Sequence, residues 1–288
     1  MIVGQLLLLA AGGFGAGVFG SLLGLGGGIL IVPLLTVGFG VPFREAVGIS
    51  LVCVIVTSSA AAGVYLERHT ANLRLGMLLE VFTATGALVG GLVAFALPER
   101  VLAGRFAALL AWTAFSMLRR GPAQAAATAA STSIDPVEGP GAAAADQGDP
   151  GAPSPSLADE IAGPGYRPRR LGAGAAGSLG AGTLSALLGV GGGIVKVPLM
   201  HLVMGVPLKV ATATSNLMIG VTAAASAVVY LVRGGIDPYI AGPTAVGVFA
   251  GAMVGSRLAA RIDVRILRLL FVGVLALTAA QMALRALG

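Results

Sequence analysis

Lys196 is a lone cation in an apolar run. No other Lys, Arg, Asp or Glu occurs between Arg170 and Lys209, and Lys196 follows the triple glycine Gly191-Gly192-Gly193 by three residues and precedes Pro198 by two. An ammonium at membrane depth costs at least about 2.5–3.5 kcal/mol. It must pair with a negative charge there or snorkel along its stem to the interface, and a bound anion would supply the charge. The glycines suit the same chemistry. Without Cβ atoms, backbone N–H groups in a nest-like turn can converge on an anion, with a half-helix N-terminus adding its dipole. The alternative is that the glycines only let helices approach closely. Small hydroxyl and amide residues follow: Thr212, Thr214, Ser215, Asn216 and Thr222 on one side, Ser50, Thr57, Ser58 and Ser59 on the other. They could donate to anion oxygens, or bond their own helix carbonyls and glue helices together. Glu80 is the one acid well inside an expected helix. It could carry a coupled proton; the preferred expectation sets it at the headgroup boundary near Arg74, about 9 Å away along the axis.

These residues sit in a duplicated frame. Leu22-Leu23-Gly24-Leu25-Gly26-Gly27-Gly28-Ile29-Leu30-Ile31-Val32-Pro33-Leu34 recurs 165 residues later as Leu187-Leu188-Gly189-Val190-Gly191-Gly192-Gly193-Ile194-Val195-Lys196-Val197-Pro198-Leu199. Ten of the thirteen positions are identical. The same gapless offset maps Ser50 onto Ser215, Thr57 onto Thr222, Tyr65 onto Tyr230, Gly86 onto Gly251 and Gly90 onto Gly255. Duplicated apolar halves, each with a Gly- and Pro-broken segment, point to a membrane carrier whose binding site lies at the breaks. Two such glycine loops meeting at a pseudo-two-fold axis would form a midplane anion site from Gly26, Gly27, Gly28, Gly191, Gly192 and Gly193, with Lys196, Ser50, Thr57, Ser215, Asn216 and Thr222 around it. Pro33 and Pro198 are structural members of the motif.

Composition agrees. Hydrophobic residues make up 56% of the 288 and charged residues 10%, against about 25% charged in an average soluble domain. Residues 1–43, 46–66, 81–98, 210–232 and 238–256 are free of charge, and uncharged runs near or above about 18 residues read as transmembrane helices. The expected fold is all-α and polytopic: repeat 1 over residues 1–118, a flexible cytoplasmic linker over 119–170, and repeat 2 over 171–288. The linker is rich in Ala, Pro, Gly and Ser and carries six acids, too little apolar surface to offset its ordering entropy. Each half reads as a broken segment (5–39 and 171–205) followed by three helices, at about 46–66, 75–97 and 101–118, then 210–232, 239–259 and 266–284. The chain opens without the positive n-region of a cleaved signal, so a retained first helix is expected. The net charge of +6 reflects Arg at segment ends, not nucleic-acid binding. Cys53, the one cysteine, reads as a small core residue.

Charge placement chooses between two topologies. If the broken segment crosses once, the halves are parallel, and with the linker inside nine Lys/Arg outside the broken segments face in and eight face out. If it enters and returns, the halves are inverted, and twelve face in against five out. The positive-inside rule favours the inverted arrangement. Gly86-Ala87-Leu88-Val89-Gly90 and Gly251-Ala252-Met253-Val254-Gly255 are expected helix contacts. The chain has no HExxH, nucleophile elbow, Walker motif or metal-spaced Cys/His set, so neither enzymatic activity, a metal nor a cofactor is expected.

Two halves, each with G-x-G-G-G-x-x-x-x-P near its start and then an apolar helix opening A-x-x-x-S, resemble the sulfite exporter TauE/SafE family. The resemblance covers about residues 12–119 and 171–284. It implies movement of a small sulfur-containing anion (sulfite, sulfoacetate and related organosulfonates, or thiosulfate) across the cell membrane, with Gly26, Gly27, Gly28, Pro33, Gly191, Gly192, Gly193 and Pro198 as the motif residues. The long linker, and a Lys in only one copy, depart from the pattern. The expected function is secondary transport, outward, of a small oxyanion by alternating access, with the lipid bilayer and the anionic substrate as partners. An anion channel and a membrane scaffold or assembly factor are the competing readings.

Overall fold

The computed structural model describes residues 2–22, 28–67, 71–119, 166, 168–258 and 264–287. Gly24, Gly26 and Gly27 of the first glycine loop, and residues 120–165 of the linker, lie outside the described residues. Among the described residues the regular structure is helical: α1 (Ile2–Leu22), α2 (Gly28–Pro33), α3 (Phe43–Glu67), α4 (Leu73–Ala96), α5 (Glu99–Arg119), α6 (Leu171–Leu188), α7 (Gly193–Pro198), α8 (Leu208–Val232), α9 (Pro238–Leu258) and α10 (Val264–Leu287). Five of them carry windows long and apolar enough to cross a membrane, Gly4–Ser21, Leu73–Ala96, Leu171–Leu188, Val210–Val232 and Pro238–Gly255. Large apolar side chains such as Leu7, Met77, Val81, Trp112, Val221 and Val246 point outward, while Glu80, Lys196, Ser50 and Thr222 are buried. That distribution suits a lipid solvent.

The broken segments hold one surprise. α6 stops at Leu188, turns through Gly189–Gly192 and restarts as α7, as an irregular break lining protein requires. Pro33 and Pro198, however, do not interrupt their helices. Each ends a six-residue α-helix that runs on as a π-helical turn, Leu34–Gly38 and Leu199–Val203. The wider i→i+5 spacing is one way a helix absorbs the missing N–H and the ring of proline without breaking.

Helices pair across the halves. α1 packs on α9, α6 on α4, α5 on α10 and α3 on α8, and the 165-residue offset converts this set into itself. The correspondence extends to single contacts. A Cβ on Gly17 would collide with the Val248 carbonyl, and one on Gly182 with the Thr83 carbonyl. Gly251 against Phe14 has its counterpart in Gly86 against Leu179, and Gly255 against Val18 in Gly90 against Thr183. Hydrophobicity does not drive helices together in lipid, so close backbone approach at small residues does.

The contacts also fix directions. Gly48 near the start of α3 lies against Tyr230 and Gly235 at the end of α8, and Ser58 further along α3 donates to the Asn216 carbonyl at 2.6 Å. The repeat-mates α3 and α8 therefore run antiparallel. Rising numbers match rising numbers in α1·α9 and in α4·α6. Gly48 also meets Gly235 and Ile236 just before α9, so α9 begins where α3 begins. α1 then runs with α3, and the α2 segment between them must double back. In the described part of the linker, the Tyr166 hydroxyl accepts from Asn72 Nδ2 at 2.8 Å and Arg169 N–H donates to Met204 O at 2.9 Å, tying its end to α4 and the second π turn.

Exposed positions at the starts of α6 and α9 report the topology. On a Cys53→Ser background, cysteines replacing Arg169 and Tyr239 are expected to react with an impermeant maleimide from opposite faces of the membrane. Parallel halves would place both on one face.

Candidate functional site

Lys196 and Glu80 meet in the interior. Lys196, on α7, is 1% exposed and Glu80, on α4, is 8% exposed. Lys196 Nζ donates to Glu80 Oε2 at 3.2 Å and to Thr222 Oγ1 on α8 at 2.6 Å. Thr222 Oγ1 lies 2.7 Å from Glu80 Oε1 and 2.9 Å from Met218 O, so its single proton goes to one or the other. The placement of Glu80 at the headgroup boundary is thereby corrected: its carboxylate is buried and paired. Lys196 does not snorkel either, since burial of its stem draws the ammonium inward to the partner charge.

The second glycine turn lies beside this pair. Gly192 has φ +75°, a left-handed conformation that costs glycine little. A Cβ there would stand 3.4 Å from Ser185 Cβ and 3.6 Å from Lys196 Cε. One on Gly193 would stand 3.8 Å from Ser215 Oγ. Ser185 is 1% exposed and Ser215 0%, and among the described residues Ser185 Oγ, Ser215 Oγ, Ser178 Oγ and Arg44 Nε are buried with no hydrogen-bond partner. Leaving a buried hydroxyl unsatisfied costs about 1–3 kcal/mol. Both hydroxyls and the Lys196 side chain approach the Gly192–Gly193 turn, where a Cβ on Gly192 would also stand 3.3 Å from Ala181 O and one on Gly193 2.6 Å from Ile219 Cδ1.

The other expected site residues separate into groups. Ser50 Oγ lies 2.8 Å from Gly189 O and 3.2 Å from Gly28 O, so it links the two loops rather than facing a ligand. Gly28 is buried so tightly that a Cβ would stand 2.6 Å from Gly189 O; here close approach is the demand. Gly191 and Gly193 abut Ile219. Thr57 donates to its own helix carbonyls at Cys53 and Val54, 3.1 Å each. Asn216 enters through its carbonyl, which accepts from Ser58. Thr222 joins the charge pair, Pro33 and Pro198 shape the π turns, and Gly26 and Gly27 lie outside the described residues. His201 Nδ1 sits 2.9 Å from Val206 O in a local contact. The sequence reading missed Ser185. Its repeat-mate is Gly20, so the repeat pointed away from it. The available signal was Ser178 and Ser185 spaced seven apart, which places both on one face of an apolar helix.

A bundle of apolar helices with a lipid-facing exterior and buried polar groups at its centre defines a multi-pass membrane protein. The family model described as "Sulfite exporter TauE/SafE" matches residues 9–282, and the chain belongs to that family; it is a multi-pass cell-membrane transporter and not an enzyme. It is also 26% identical over 264 residues to the Probable membrane transporter protein YunE of Bacillus subtilis (strain 168), covering 89% of this chain and 88% of that protein. No solved structure matches.

The ion pair makes a stability prediction. Glu80→Ala leaves a buried ammonium without its counter-charge, and breaking a buried pair from one side costs about 3–5 kcal/mol. A melting temperature well below wild type is expected in detergent. The double variant Glu80→Leu/Lys196→Met removes both charges and is expected to recover most of that loss. Equal melting of Glu80→Ala and wild type would show that the pair contributes nothing to the fold.

Proposed function

We propose that this transporter is a secondary carrier of small sulfur-containing oxyanions — sulfite, an organosulfonate or thiosulfate — moving them outward by alternating access. One observation carries the proposal: the Gly192–Gly193 turn approaches the buried Lys196 side chain and the buried Ser185 and Ser215, whose hydroxyls have no protein partner. A tetrahedral or pyramidal oxyanion presents several acceptors in a small volume and matches such a donor set. The description of the family as sulfite exporters supports both the sulfur chemistry and the direction. In this reading Lys196 supplies charge, Ser185 and Ser215 fix orientation, and the Gly192–Gly193 turn lets the anion approach the backbone. Ser50 and Gly28 hold the turn in place, Thr222 steadies the ammonium, and Gly26 and Gly27 shape the pseudo-equivalent loop. Thr57 and Asn216 support α3 and α8 from their backbone contacts. Enclosure of Lys196 favours a carrier over an open channel, because a conducting pore would hydrate the ammonium. A scaffold needs no such buried cation.

Proteoliposomes given a panel of sulfite, thiosulfate, methanesulfonate and sulfoacetate against chloride are expected to show saturable flux for the sulfur oxyanions. Lys196→Met is expected to weaken affinity roughly tenfold to hundredfold, the loss of a charge-assisted contact of about 1.5–3 kcal/mol. Ser185→Ala and Ser215→Ala are each expected to weaken it several-fold, and Lys196→Arg to retain part of it, since charge survives while geometry changes. Wild-type dissociation constants in all three neutral variants would remove the turn from the binding site.

A further inference from the structure

We propose that anion binding at the Gly192–Gly193 turn is linked to protonation of Glu80, so that one proton accompanies each anion through the membrane. The inference rests on the oxyanion reading of the site.

Without ligand, the charges balance: one ammonium, Lys196, faces one carboxylate, Glu80, at 3.2 Å. An added monoanion such as methanesulfonate leaves two negative charges sharing one cation in an enclosed site, a dianion such as thiosulfate leaves three, and like charges in such a site favour protonation of one of them. The groups around Glu80 limit which one. Among the elements packed on α4, α6 contains no titratable residue, and α8 contains Lys209 near its start and Tyr230 near its end. The Tyr230 hydroxyl donates to Ala186 O at 2.9 Å. On α4 itself the one other charged residue is Arg74, near its start. From α7 and the turn after it come Lys196 and His201, and His201 is exposed and set against Val206 O. Lys196 therefore provides the charge that Glu80 faces, and a sulfonate or thiosulfate, unlike sulfite, is too weak a base to take the proton itself.

Thr222 gives both protonation states a complete set of hydrogen bonds. When Glu80 is ionised, Thr222 accepts from Lys196 and donates to Glu80 Oε1 at 2.7 Å. When Glu80 carries a proton, Thr222 turns its own proton to Met218 O at 2.9 Å and accepts from Glu80 and Lys196 together. A hydroxyl oxygen has two acceptor sites, so nothing is orphaned in either state. The proton comes from water, rests on a Glu80 oxygen and returns to water when the anion leaves; no covalent bond to the anion forms. The stoichiometry is one because the device occurs once. The repeat-mates of Glu80, Lys196 and Thr222 are Ala245, Ile31 and Thr57, and Thr57 donates within its own helix.

Methanesulfonate and thiosulfate are suitable probes, since neither titrates near neutral pH. For the purified wild-type protein, titration calorimetry in buffers of different ionisation enthalpy is expected to show uptake of about one proton per anion, and the dissociation constant should rise with pH, by up to about tenfold per pH unit, where Glu80 is ionised without the anion and protonated with it. Glu80→Gln mimics the protonated acid. It is expected to bind at least as tightly as wild type at its best pH, with no proton uptake and no pH slope. In proteoliposomes an anion gradient is expected to drive protons the same way in wild type and to move anion without protons in Glu80→Gln. Wild-type binding with neither proton uptake nor slope overturns the linkage and leaves the oxyanion site standing. A slope that persists in Glu80→Gln overturns it too, assigning the titration to Lys196. Failure of wild type to bind either probe at any pH overturns the oxyanion reading and this inference with it.

Discussion

The contact between the Lys196 ammonium and the Glu80 carboxylate sets how helices from both halves meet. It joins α4 of the first repeat to α7 of the second, and Thr222 brings in α8. In lipid, apolar faces have no preference for one another over acyl chains, so a bundle acquires its register from close small-residue packing and from polar groups that can be satisfied in one arrangement only. The glycine contacts of α4 with α6 supply the first kind of constraint. The ion pair supplies the second, and it acts on the short helix α7, which runs on as the second π-helical turn. A charge that must stay paired in the resting protein is also one a ligand can compete for.

Symmetry and asymmetry divide the labour. The paired interfaces α1·α9 and α4·α6 repeat contact for contact, and Pro33 and Pro198 lead into the same π-helical turn. The chemistry does not repeat. Ser50 is fully used in bridging Gly28 and Gly189, while its mate Ser215 has a free hydroxyl. Ile31 stands where the second repeat has Lys196, and Gly20 where it has Ser185. The two halves thus differ in polar side chains on a frame whose helix interfaces pair across them.

What could be read in advance followed from periodicity and charge. The duplicated motif, the long uncharged runs and the Arg distribution located the helices and the breaks, because lipid imposes length and polarity directly on sequence. Helix ends extended outward by a few residues, as at α3, which begins at Phe43 and so takes in Arg44 and Glu45. Charged residues are compatible with a helix turn that has left the hydrocarbon, which a rule based on uncharged runs does not register. The partner of Lys196 was hidden for a different reason. Glu80 lies 116 residues away, faces Lys196 across an interface between halves, and has an alanine as repeat-mate, so neither local spacing nor duplication could join them. Thr57 and Thr222 are matched by the duplication and both reach a carbonyl of their own helix, yet Thr222 also bonds Glu80 and Lys196, a difference that the duplication does not register.

The cross-half pairing of helices bears on how such a chain is made. α1 presents Gly13 and Gly17 to Thr244 and Val248 of α9, about 230 residues later in synthesis, and at roughly 5–20 residues per second a ribosome takes on the order of ten to fifty seconds to supply them. Through that interval α1 resides in the bilayer with its glycine face covered by nothing but lipid or a chaperoning insertase. Neither repeat can complete its packing alone, since each keeps the other's closest partner. The nascent protein is therefore committed to a long-lived half-built state.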